Sequence, residues 1–248
     1  MRWRIIALET HDACFNMAAD HAISEAVSSG SSDPTIRFYK WHPSAVSIGC
    51  FQSMNDEVDV QRCREAGVDY VRRRTGGGAV FHDEGGEITY SVIAPESDMP
   101  KGIIESYRLI CGWIVDSLAA IGIAASFAPI NDIVVDGKKI SGNAQTRRDG
   151  VLVQHGTVLY NTDLKRMFSL LKVDNAKLSD KAIKSVEERV TKVLDYAQIS
   201  QEELYAALLS GFTKGKDFHM GKLGDEEIAR ANALSKEIYS SEAWNFSR

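Results

Sequence analysis

The stretch Arg72-Arg73-Arg74-Thr75-Gly76-Gly77-Gly78-Ala79-Val80-Phe81-His82-Asp83 follows directly on a strand-forming run, Val68–Arg73. Three consecutive glycines let the backbone turn sharply and approach a ligand without Cβ obstruction, and their exposed amides can hold anionic oxygens. The arginines add permanent positive charge. A bare glycine triplet also suits an ordinary hairpin turn, so the flanking residues carry the argument. The stretch lacks the Gly-Lys-Ser/Thr ending of a Walker loop and the Gly-x-Gly-x-x-Gly spacing of a dinucleotide fold, which disfavours both.

A second stretch reads Asn131-Asp132-Ile133-Val134-Val135-Asp136-Gly137-Lys138-Lys139-Ile140-Ser141-Gly142-Asn143-Ala144-Gln145, and Gln154-His155-Gly156-Thr157 follows. Asp136-Gly137 is a strong two-residue turn, so Lys139 begins the return strand of a hairpin whose first strand starts at Asp132. A lone lysine is ordinarily a solvated surface amine. The small residues Ser141, Gly142 and Ala144 instead suggest close approach to this strand, and favour a ligand-facing Lys139. A register shift of one residue would exchange the roles of Lys138 and Lys139. His155 fits a hydrogen-bonded structural position as well as a catalytic one. Asp132 could ligate Mg²⁺ or simply fix the turn.

Around these stretches the chain reads as an α+β protein. Strand-like runs occur at Trp3–Leu8, Thr35–Trp41, Ala45–Ile48, Val68–Arg73, Ile88–Ala94, Ile133–Val135 and Val151–Tyr160. Phe15, Ala18, Ala19, Ala22, Ile23 and Ala26 share one face of an early helix, and Tyr107, Ile110, Ile114, Val115 and Leu118 mark another. Strands dominate the first two-thirds and helices the last, including one near Gln201–Phe212 and one near Glu226–Ile238.

The 248 residues are enough for one substantial core and give no sign of a second domain. Hydrophobic residues make up 44% and charged residues 25%, as in ordinary globular proteins, and no apolar run could span a bilayer. The apolar run before Glu9 is too short for a secretory signal, so a cytoplasmic protein is expected. Net charge of −5 argues against broad nucleic-acid binding. Cys14, Cys50, Cys63 and Cys111 are scattered without metal-ligand spacing, as in a reducing compartment.

From about Asn16 to Val193 the chain resembles the catalytic domain of the lipoate-protein ligase A family. The likeness rests on two arginines, two further residues, three glycines and Ala-Val-Phe-His-Asp over Arg72–Asp83. It rests also on Asn-Asp, a hairpin, a lysine with small residues after it, and His-Gly-Thr over Asn131–Thr157. Ser185-Val186 and Arg189-Val190-Thr191 match a weaker downstream pattern. The resemblance implies a biotin/lipoate-ligase-like fold of mixed sheets flanked by helices. It also implies activation of lipoate with ATP and Mg²⁺ to lipoyl-adenylate, then transfer to a lysine of a lipoyl domain or glycine-cleavage H protein.

In that reading Lys139 is catalytic, since a fixed ammonium offsets the repulsion between carboxylate and α-phosphate. Arg72, Arg73, Thr75, Gly76, Gly77, Gly78, Ala79, Val80, Phe81, His82, Asn131, Asp132, Gly142, Ala144, His155, Gly156 and Thr157 join it in holding ATP or lipoyl-adenylate. Val46, Ile48, Val80, Val134 and Val153 are candidates for an apolar tunnel. The single catalytic domain, 1–248, lacks the C-terminal accessory domain of many members, which implies a separate accessory subunit.

Two other readings compete. An octanoyl- or lipoyl-transferase of the same fold would move an acyl group between carrier proteins without ATP, through a cysteine thioester. Its cysteine would lie shortly before Asp132–Lys139, where this chain has Ser126, Phe127 and Ala128. A non-catalytic acyl- or adenylate-binding protein would have no need of charge aimed at a phosphoryl centre.

Overall fold

A computed structural model describes residues 1–172 and 188–248. The match at Ser185-Val186 lies outside the described residues. β1 (Arg2–His11) opens the chain, and Asp12 ends it by capping α1 (Ala13–Ser28), its carboxylate accepting from the Phe15 amide at 2.8 Å. β2 (Thr35–Trp41) and β3 (Ala45–Ile48) come next, then the short helices α2 (Met54–Glu57) and α3 (Val60–Glu65). β4 (Asp69–Arg72), β5 (Val80–His82) and β6 (Glu87–Pro95) precede α4 (Ile103–Ala120). β7 (Ser126–Ala128), β8 (Asp132–Val135), β9 (Lys138–Arg148) and β10 (Val151–Leu159) form one antiparallel run. After α5 (Leu164–Leu170) come α6 (Gln201–Thr213), β11 (Asp217–Gly221), α7 (Asp225–Leu234) and α8 (Glu242–Asn245).

The strands make an eight-stranded mixed sheet, ordered β11-β1-β2-β6-β10-β9-β8-β7, and a three-stranded sheet, β4-β3-β5. This is the expected α+β architecture. Alternation along β2 sends Ile36 and Phe38 to one face of the large sheet and Tyr39 and Trp41 into different surroundings. On the first face α4 and α6 close a core in which the Phe212 ring sits 5.2 Å from Phe38 and 4.9 Å from Tyr90. On the other, the alanines of α1 pack with Tyr39, Trp41 and α7.

The structure departs from the expected helix face in α1, where Asn16 and Asp20 are buried while Phe15 and Ala26 are only half-buried. The reason is Arg37 of β2, whose fully buried guanidinium reaches Asp20 at 3.1 Å and the Asn16 side-chain oxygen at 2.7 Å. A buried charge requires such partners. The last third also contains a strand, β11, pairing in parallel with β1. Its Phe218 and Met220 are exposed at the sheet edge, so its pattern carries no core signal.

The small sheet is anchored by Arg72, which lies at the end of β4. Its guanidinium donates to the carbonyls of Gly49, Cys50, Gln52, Trp244 and Asn245, and Trp244 Nε1 donates back to its carbonyl at 2.8 Å. Arg72→Met leaves those carbonyls without their cationic donor, at a cost of about 3 kcal/mol. Hydrogen exchange should be faster at Tyr239–Phe246 in the variant than in the parent chain. Unchanged protection there would show that the tether contributes little.

Candidate functional site

The glycine segment and the lysine hairpin meet in one place. β4 and β5 bring the loop 73–79 over the strands β9 and β10, where Ala144 pairs with His155, Asn143 with Gly156 and Gly142 with Thr157. Successive residues of a strand point to opposite sides, so Arg72 and Arg73 cannot share one ligand. Arg72 faces the C-terminal residues, as above. Arg73 lies under the glycine loop, where its guanidinium donates to the carbonyls of Gly76 (2.7 Å), Gly78 (2.8 Å) and Ser47 (3.2 Å), to Ser47 Oγ (3.2 Å) and to Thr75 Oγ1 (3.1 Å). Burial lowers its pKa to about 10, which leaves it cationic at neutral pH.

Two glycines are required sterically. Gly77 has φ of +92°, and a Cβ at Gly49 would meet the Gly77 carbonyl oxygen at 2.2 Å.

Lys139 stands on β9 beside the turn Asp136-Gly137, where both residues have positive φ. A bulge between Ile133 and Val134 places Val134, and not Val135, opposite Lys139. Its Nζ lies 2.7 Å from Asp132 Oδ1, and its side chain crosses the bare face of Gly142, where a Cβ would lie 2.6 Å from Lys139 Cε. Its backbone is pinned by the Arg189 carbonyl and the Thr191 amide, which gives the weaker downstream pattern a location beside the lysine. Lys138 and Lys139 are both half-buried, so the two lysines differ in direction more than in exposure. Asn143 and Asn131 exchange hydrogen bonds that tie β9 to the loop before β8.

Between loop and hairpin lies a cavity of about 130 Å³. Of the residues expected at the site, Arg73, Gly77, Gly78, Ala79, Val80, His82, Asn131, Lys139, Gly142, Ala144, His155, Gly156 and Thr157 line it. Arg72, Thr75, Gly76, Phe81 and Asp132 do not; Phe81 is in the core of the small sheet, and Thr75 is buried behind the loop. Among the tunnel candidates only Val80 lines the cavity. Val46 and Ile48 pack with Met54 and Val58 inside the small sheet, and the apolar wall comes instead from Met17, Tyr39 and Trp41.

His155 is fixed from both sides. Thr75 Oγ1 is 2.7 Å from its Nε2, and its Nδ1 faces Asp20 at 3.9 Å. Burial holds the imidazole below its ordinary pKa, while the neighbouring His155 ring and the charge of Arg37 hold Asp20 below the usual carboxylate range despite burial.

A second polar chain was not anticipated from the sequence. Ser47 Oγ is 2.8 Å from His82 Nε2, His82 Nδ1 is 2.8 Å from Glu87 Oε1, and Thr89 donates to the same carboxylate at 2.8 Å. Trp41 stacks on the His82 ring at a centroid distance of 3.8 Å and donates its indole N–H to Thr89 at 2.8 Å. Ser47 alternates with apolar residues in a short strand and so passes as an ordinary strand residue.

The lipoyl protein ligase A/B catalytic domain model matches residues 12–213, and the chain belongs to that family. Octanoyltransferase LipM of Brevibacillus brevis is 33% identical, the match covering 100% of this chain and 99% of that protein. LipM of Kyrpidia tusciae is 36% identical, with 98% of each covered. The solved bi-partite lipoate protein ligase of Thermoplasma acidophilum superposes with a TM-score of 0.89 at 34% identity, covering 99% of this chain and 96% of that one.

The end-to-end octanoyltransferase relatives overturn the expectation of an ATP-dependent, AMP-forming lipoate ligase that uses ATP and Mg²⁺. Two details of the site agree with that correction. The five guanidinium donors of Arg73 already have protein acceptors, and the Asp132 carboxylate, the candidate Mg²⁺ ligand, is paired with Lys139. No group of three or more His, Cys, Asp or Glu side chains suited to a metal occurs among the described residues.

The two glycines give opposite expectations on substitution. Gly142→Ala displaces only the flexible end of Lys139, so melting temperature should hold while turnover falls about 10- to 100-fold. Gly49→Ala strikes the Gly77 carbonyl and should lower melting temperature. Thermal melts beside acyl-transfer rates test both, and equal losses of stability would refute the distinction.

Proposed function

We propose that this chain is an acyltransferase that moves an octanoyl group from a thioester donor to the ε-amino group of a lysine on an acceptor protein, a lipoyl domain or H protein. The observation that carries the reading is the saturation of Arg73 by protein acceptors in a chain whose full-length relatives are octanoyltransferases, while Lys139, paired once with Asp132, keeps N–H donors for a substrate oxygen. A site for adenylation needs cationic donors free for phosphoryl oxygens. A site for acyl transfer needs a single positive charge at the carbonyl and an apolar wall, and Lys139 with Met17, Tyr39 and Trp41 offers that combination.

In this mechanism the acyl chain lies against the apolar wall and its carbonyl faces Lys139. As a nucleophile adds to the carbonyl carbon, negative charge grows on oxygen, and the ammonium held by Asp132 stabilises it without needing to reorganise. The thiol leaves, and the acceptor amine ends in an amide. Arg73 shapes the loop above the carbonyl, and His155, kept neutral, locks Thr75 beneath that loop. Transfer from a thioester skips the activation of free lipoate, the step for which a separate accessory subunit was expected. No helix among the described residues is long and apolar enough to cross a membrane, and a cytoplasmic setting suits protein substrates of this kind.

The test uses the whole chain with an octanoyl thioester of an acyl carrier protein and an apo lipoyl domain, without nucleotide. Intact mass should show one octanoyl group on the acceptor, at a rate that ATP does not change, and Lys139→Met should slow it about 100- to 1,000-fold. Acylation that appears only from free acid plus ATP would sink the reading.

A further inference from the structure

The cavity contains a transferase's anion-stabilising lysine but no thiol. Among the described residues none of the four cysteines lines it, and burial pushes the Cys14 and Cys111 thiols up to about 12 and Cys63 up to about 11. Cys50 follows β3 in a bend whose amide and carbonyl are taken up by Thr75 and Arg72. Ser47, by contrast, lines the cavity together with His82, Thr89 and Trp41.

The hydrogen bonds around Ser47 fix a direction. Arg73 donates to Ser47 Oγ, and Trp41 donates to Thr89 Oγ1, which leaves the Thr89 hydroxyl to donate to Glu87. Glu87 is buried and reached by His82 Nδ1, so a neutral His82 carries its proton on Nδ1 and presents a bare Nε2 to Ser47. The Ser47 hydroxyl then donates to that nitrogen. This is the hydroxyl, imidazole and carboxylate order that activates a nucleophilic serine, with stacked Trp41 fixing the ring plane.

Resting on the acyltransferase reading, we propose that Ser47 is the acyl-accepting nucleophile, with His82 as its base and Glu87 as the positioning residue for His82, so that transfer passes through an octanoyl ester on Ser47. As Ser47 Oγ bonds to the thioester carbonyl carbon, its proton passes to His82 Nε2. The C–S bond breaks, and the thiol leaves with that proton. The neutral acceptor amine then attacks the ester, giving a proton to His82, which returns it to Ser47 Oγ as the C–O bond breaks and the amide is released. Arg73 favours the attacking oxygen by donating to it.

The experiment omits the acceptor. The full chain is mixed with an octanoyl thioester of acyl carrier protein, quenched in acid and examined by intact and peptide mass spectrometry. One octanoyl group is expected on the peptide that contains Ser47, stable to neutral hydroxylamine, as an ester is and a thioester is not, and lost on adding apo lipoyl domain.

Ser47→Ala should lose the adduct and at least about 1,000-fold in transfer rate. Ser47→Cys should restore an adduct that hydroxylamine removes. Glu87→Gln should slow acylation and alter its pH profile, with recovery in Glu87→Asp. An adduct on Cys50 or another cysteine overturns the proposal, as does full transfer by a folded Ser47→Ala chain without any adduct. Either result leaves the acyltransferase reading standing, whereas absence of transfer by the parent chain removes both.

Discussion

The site depends on one guanidinium. Arg73 collects three carbonyls and two hydroxyls from Ser47, Thr75, Gly76 and Gly78, and thereby fixes a glycine loop that has no side chains of its own to pack. Glycine-rich backbone loses much conformational entropy when ordered. A buried cation that must find acceptors and a loop that offers unpartnered carbonyls solve each other's problem. The open faces of Gly49 and Gly77 follow from that closeness, because any Cβ at Gly49 would collide with the loop.

Around this centre the fold supplies polar chains that cross between elements. Asp20 from α1, Arg37 from β2, Ser91 from β6 and His155 from β10 form one; Tyr90, Asn143, Gln154 and Gln145 form another beneath β9. Each links several elements through more than one contact, so each resists small displacement better than an isolated pair. The cavity between them has a wall of fixed shape and charge, which suits the stabilisation of charge that appears only during reaction.

Much of this was legible in the sequence because it rests on local chemistry. Asp136-Gly137 specifies its turn, β-branched runs specify most strands, and the small residues after Lys139 announce the path of its side chain across Gly142. What was not legible depends on pairing at a distance. Nothing near Asp20 announces Arg37, nothing in Asp217–Gly221 announces β1 as its partner, and Ser47 gains meaning only when β5 brings His82 beside it. Arg73 illustrates the limit most sharply. Its position at the site follows from the motif, while the direction of its donors, toward the protein and not a nucleotide, is set by carbonyls that the fold assembles.

The tether at Arg72 has a consequence for biosynthesis. Its guanidinium bridges the bend after β3 to the carbonyls of Trp244 and Asn245, so residues separated by more than half the chain meet at one group. During translation Arg72 leaves the ribosome long before those partners exist. The bend beside the glycine loop therefore acquires this anchor only once Trp244 and Asn245 have been made, and a nascent chain short of that point holds an unfinished site.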